Sequence, residues 1–104
     1  MAIDDLTVTD NQDARRFELR TPDEVVGWID YLPAGPSVIF SHTEIVPGHE
    51  QQGLGSVLVR QALDAMRDRG TTVIPTCPFT AAFIQRHPEY VEVVDPSLRG
   101  RFGG

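Results

Sequence analysis

The hydrophobic residues of this chain follow two different periods, and the change falls at Gly53. Before it, apolar and polar positions alternate. Residues 15–20 set Phe17 and Leu19 against Arg16, Glu18 and Arg20, the pattern of a half-buried strand. Residues 25–32, rich in Val, Ile, Trp and Tyr, and residues 38–46 read as two longer strands. Residues 6–9 form a short one, closed by Asp10, Asn11, Gln12 and Asp13. Thr21-Pro22-Asp23-Glu24 and Pro33-Ala34-Gly35-Pro36 have turn chemistry. Successive strands joined by short turns predict an antiparallel meander.

After Gly53 the apolar positions recur every three to four residues. Leu58, Val59, Ala62, Leu63 and Met66 share one helical face, and Arg60, Gln61, Asp64, Arg67 and Asp68 the other. Gly70 is a suitable stop. Residues 71–76 predict a strand with Val73 and Ile74 at its centre. A right-handed β-α-β crossover then makes it parallel to the strand that ends at Val46. A second, shorter helix begins at Cys77-Pro78, with Pro78 at its first position, and Pro88 ends it. Residues 90–94 read as a last edge strand. The fold class is therefore α/β with a mixed sheet, in one domain over residues 1–94 with a flexible tail over 95–104.

The loop entering the first helix is an anion site by its chemistry. The first turn of a helix leaves backbone N–H groups unpaired, and the helix dipole favours negative charge there. Gly53 and Gly55 let a ligand approach the backbone, and Ser56 adds a hydroxyl. The alternative is a plain turn with two glycines. No Lys-Ser/Thr follows them, which weighs against a P-loop.

Composition narrows the partners. The 104 residues carry a formal charge of −6, and all 9 basic residues are arginine. That balance argues against nucleic acid or an anionic membrane and favours a basic acceptor such as an amine. A signal peptide and a membrane-spanning run are both missing from the pattern, so a cytoplasmic location is expected. A single cysteine allows no internal disulfide and no cysteine-rich zinc site. The three histidines lack ligand spacing on one element, so no metal is expected.

Among chemical groups, Cys77 stands out because it occupies the N-cap of the second helix, where the helix terminus favours the thiolate. The other reading is a small buried hydrophobe. His42 and Glu44 interrupt an apolar strand with polar residues. An imidazole there is a candidate base, and Glu44 a second base or an amine-orienting carboxylate; a solvated strand face is the alternative. His49 is expected to be exposed, and His87 to cap or pack on a helix end. Arg60 and Arg86 are candidate phosphate contacts or solvated helix arginines. Phe79 and Phe83 read as core or as lining of a ligand pocket, and Tyr90 as core or a rim contact.

The ordered set Glu50-Gln51-Gln52-Gly53-Leu54-Gly55, His42-Thr43-Glu44, Cys77-Pro78-Phe79 and Arg86-His87-Pro88-Glu89-Tyr90 resembles the minimal, roughly hundred-residue branch of the GNAT superfamily of N-acetyltransferases. The resemblance covers residues 8–90. It departs from the family's phosphate loop at Glu50, where Gln or Arg is usual. What it implies is a GNAT-like sheet whose parallel strands splay apart, with acetyl-CoA in the cleft. The pyrophosphate would rest on the N–H groups of Gln51, Gln52, Gly53, Leu54, Gly55 and Ser56. The pantetheine arm would pair with the backbone of Glu44, Ile45 and Val46. Many full-length relatives use a tyrosine on the second helix as general acid, and the matching stretch here is Phe83-Ile84. That departure puts weight on Cys77 as an acyl acceptor, while His42 stays a candidate base toward either an incoming ammonium or Cys77. The implied activity is acyl-CoA-dependent transfer of an acetyl group to an amine, of a small molecule or a protein. The alternatives are a module that binds acyl-CoA without turnover and a plain interaction domain.

Overall fold

The computed structural model describes residues 6–48 and 53–102. Among them, five strands form one sheet in the order β1-β2-β3-β4-β5. These are β1 (Thr7–Asn11), β2 (Arg16–Arg20), β3 (Val25–Ala34), β4 (Ser37–Ile45) and β5 (Thr72–Pro75). The first four form the expected antiparallel meander, and β4 and β5 run parallel. The crossover between them is α1 (Leu54–Arg69), which lays Leu58, Val59, Ala62, Leu63 and Met66 on the sheet, all buried. They meet Phe17, Leu19, Ile29 and Phe40 in one core. Gly70 ends α1 in the left-handed region at φ 69°. Its N–H reaches Arg67 O and that of Thr71 reaches Met66 O, closing the last carbonyls of the helix. No helix among the described residues is long and apolar enough to cross a membrane.

Two features of β4 create the cleft. Its pairing with β5 runs only from Ser37 to Phe40, and the Cys77 N–H on Phe40 O is the last backbone bond between the two chain segments. Beyond it, residues 41–45 pair with β3 alone. At that level the β3–β4 register slips: Asp30 opposes His42 while Tyr31 opposes Phe40, so Ser41 is an extra residue in a β-bulge. A bulge bends its strand and adds twist, which carries the end of β4 away from β5.

The C-terminal third departs from the sequence reading. After α2 (Pro78–Arg86), residues expected as an edge strand form a 3-10 helix, Pro88–Val93. Pro88 starts it with a preset φ, and Tyr90 and Val93, three apart, turn inward together. Only Val94 meets the sheet, as an isolated bridge to Val73. The stretch read as a loose tail is a further 3-10 helix over Pro96–Phe102, with Leu98 and Phe102 packed against the core. Asp95 anchors its start by accepting bonds from Ser97 N–H, Ser97 Oγ and Ser37 Oγ.

Candidate active site

The N-terminus of α1, the free end of β4 and the N-terminus of α2 face one another across a cavity of about 590 Å³. Gly53 caps α1 at φ 69°, a left-handed conformation that L side chains adopt at a cost. No acidic residue lies in the first helical turn to occupy the dipole, and a Cβ on Gly53 would meet nothing within 4 Å. Gly53, Gly55, Ser56, Phe79 and Arg86 line the cavity together with Glu44 and Ile45. Arg86 makes no ion pair among the described residues and closes α2 with its charge toward the same space. The open N–H groups of a helix start, a close-approach glycine and the Arg86 guanidinium make a cradle that fits a pyrophosphate. Gln51 and Gln52, expected in the same cradle, lie outside the described residues, as do His49 and Glu50.

Along β4 the amides divide in two. Val46 N–H donates to Val26 O at 2.9 Å, so it is committed to β3. The alternation of an antiparallel ladder then turns the amides of Thr43 and Ile45 toward the open edge. An extended ligand arm would pair with these two, in place of the Glu44 and Val46 groups expected from the sequence.

The bulge at Ser41 also decides which side chains meet the cleft. Phe40 points into the core beneath the helices, and simple alternation would send His42 and Glu44 the same way. The extra residue reverses the phase. Thr43, opposite the buried Ile29, faces the helices and reaches Cys77, its Oγ1 3.4 Å from Sγ. His42 and Glu44 stand on the outer face, largely exposed, with Nε2 and Oε2 3.5 Å apart. The structure thus joins His42 to Glu44 and parts it from Cys77.

Cys77 is the N-cap of α2, with Pro78 at the first helical position as expected. Its residue surface is only 4% exposed. Burial pushes the thiol pKa up, but the Thr43 hydroxyl, the N–H groups of Thr80 and Phe79, and the Thr80 hydroxyl outweigh it, and the net shift is downward. Cys77 makes no side-chain capping hydrogen bond. Thr80, fully buried, has a hydroxyl with no hydrogen-bond partner. An unsatisfied buried hydroxyl costs about 1–3 kcal/mol. Thr80 was not legible as a site residue, because the position three residues after an N-cap is marked by Glu or Gln and not by threonine.

The remaining candidates are structural. Tyr90 donates to Asp64 Oδ1 at 2.8 Å and accepts from Arg60 at 3.2 Å, which ties the Pro88–Val93 turn to the outer side of α1. His87 caps α2 and stacks on Phe83 with ring centroids 4.3 Å apart. Phe83 and Ile84 are buried core with no phenol among them. Phe79 is the exception: it is 41% exposed and lines the cavity. No group of three or more metal-ligating side chains is found among the described residues.

A sheet that opens between two parallel strands, with an anion cradle at the following helix, defines a fold of the acyl-CoA-dependent N-acyltransferase class. The family model described as GCN5-related N-acetyl-transferase matches residues 16–93, and the chain belongs to that family. The fold is also that of a GCN5-like protein from Staphylococcus aureus solved by NMR in solution. The two align with a TM-score of 0.66 and 17% identity, over 89% of this chain and 91% of the other. No curated protein sequence gives a significant match.

Proposed function

We propose that this domain takes an acetyl group from acetyl-CoA and passes it to an amine through a thioester on Cys77. The observation that carries the reading is the continuity of one cavity. It runs from the start of α1 and Arg86, past Phe79, to Glu44 and Ile45 on the open edge of β4; Thr43, the next residue along that strand, reaches the Cys77 sulfur at 3.4 Å. The N–H groups of Leu54, Gly55 and Ser56 would hold the pyrophosphate, with Gln51 and Gln52 completing the loop. The thiolate of Cys77 attacks the thioester carbonyl, forming one C–S bond while the bond to CoA breaks. CoA leaves as a thiolate and takes up a proton. An amine then attacks the acyl-Cys77 carbonyl, the amide forms and the Cys77 thiolate returns. The amine needs to lose its proton first. His42 and Glu44, paired on the exposed face beside the strand gap, suit an ammonium arriving from that side: the carboxylate attracts it and the imidazole takes the proton.

Binding of acyl-CoA without turnover is the second reading, and the low exposure of Cys77 favours it. One experiment separates the two. The protein is incubated with acetyl-CoA and its intact mass measured, with peptide mapping of any adduct. Gain of a single acetyl group on Cys77, discharged by an added amine, is the expected result. Calorimetric binding of CoA with no adduct and no transfer leaves the binding module. Absence of CoA binding at millimolar ligand overturns both.

A further inference from the structure

We infer that Thr80 and Thr43 are positioning residues that hold the sulfur of Cys77 as an anion, as two hydroxyl donors converging from α2 and β4. The inference rests on the reading of Cys77 as the acyl acceptor, and it names the groups that make the thiol competent. Thr43 Oγ1 lies 3.4 Å from Sγ, a normal reach for a sulfur hydrogen bond. Thr80 Oγ1 is sealed from solvent and lacks a hydrogen-bond partner, and Thr80 stands in the first turn of the helix that Cys77 caps. A neutral thiol is a weak acceptor, so the Thr80 donor goes unused while the proton stays on sulfur. A thiolate accepts strongly from O–H and N–H, and the idle donor would then be satisfied. The N–H groups of Phe79 and Thr80 belong to the open first turn of α2, directly after the Cys77 cap. His42 and Glu44 lie on the outer face, and Arg86 stands at the opposite end of α2. Dipoles fixed by the fold favour the anion here, and such donors need no reorganisation when the charge appears.

The arrangement explains why a threonine is buried where valine would pack without an orphaned oxygen. Thr80→Val has nearly the same shape and removes an unsatisfied polar atom. A structural role therefore predicts a variant as stable as the parent or more so, with an unchanged thiol. The proposed role predicts that equal or higher stability accompanies a weaker acid.

The test titrates the sulfur and needs no acyl-CoA. Thiolate ultraviolet absorbance and the rate of alkylation by iodoacetamide are followed against pH in the full chain. Parent, Thr80→Val, Thr80→Ser and Thr43→Val are compared, with Cys77→Ala as the blank. We expect both valine variants to titrate at higher pH than the parent and to alkylate several-fold more slowly near neutrality. Thr80→Ser, which keeps the hydroxyl, should titrate like the parent. Thermal melts of each variant separate a moved titration from a loosened fold. Valine variants that titrate like the parent overturn the inference, as does a Thr80→Ser that behaves like Thr80→Val. A displaced titration in a protein that forms no acyl adduct would sink the transfer reading and leave this one standing.

Discussion

A Cβ placed on Gly55 would stand 2.6 Å from Cζ of Phe79. The second residue of α1 is therefore glycine for a reason of packing as well as ligand approach: the aromatic ring that borders the cavity rests directly on its Cα. Gly53, two residues earlier, has open space around it and owes its identity to backbone conformation. The two glycines of one loop answer different physical demands.

Gly55→Ala should leave stability nearly unchanged. Alanine gains up to about 1 kcal/mol of helix propensity over glycine, and the obstacle is the far end of a partly exposed ring that can swing aside. The cost should appear in ligand binding, because Phe79 must leave its seat on α1. Isothermal titration with CoA should show several-fold weaker affinity, largely regained in the Gly55→Ala, Phe79→Ala double variant.

Gly53→Ala should do the reverse to the fold. A Cβ in the left-handed region costs about 1–2 kcal/mol, with nothing nearby to clash. Urea denaturation should report a loss of that size, with an unchanged slope.

Glu18 predicts the acid limb of stability. Its side chain is 4% exposed and accepts bonds from Arg16 at 2.7 Å, Arg20 at 3.0 Å and Asn11 at 3.1 Å. Burial pushes its pKa up, but these partners together outweigh burial and hold it below the ordinary 4.5. The folded protein thus prefers the carboxylate more than the unfolded chain does. That stability is fully present above pH 4.5 and drains away as pH falls through the lower folded value. Glu18→Gln should cost about 2 kcal/mol at neutral pH and flatten the fall in melting temperature below pH 5 that the parent shows.

A chain ending after Asp95 should fold less stably. It loses the packing of Leu98 and Phe102 and the bonds from Arg99 to Val94 O and Glu92 O. Two partly buried apolar side chains suggest a loss of about 2 kcal/mol, readable by chemical denaturation. A truncated chain with the parent's midpoint would mean that this turn adds nothing.

Reading the sequence found the meander, both helices and the parallel pair, because each has a clear period or a clear stop. Residues 90–94 misled it: a short β-branched run has no period long enough to separate strand from turn. The tail misled it in another way, since glycine and charge hid two apolar residues four apart. At the site, Pro78 marked the Cys77 cap. Of the two targets open to His42, an incoming ammonium or Cys77, the sequence could not choose, because at Ser41 one inserted residue exchanged the faces of everything after it. No local pattern announces such an insertion, because it is a property of two paired strands.

The order of elements, the glycine-opened start of α1 and the position of the lone thiol were written in residue types and spacing. Those depend on interactions between neighbours along the chain. Which hydroxyls surround the sulfur, which glycine carries a ring and which face His42 takes were decided by strand register and by the docking of α2 on β4. Such contacts join residues far apart in sequence, and only the folded chain brings them within reach.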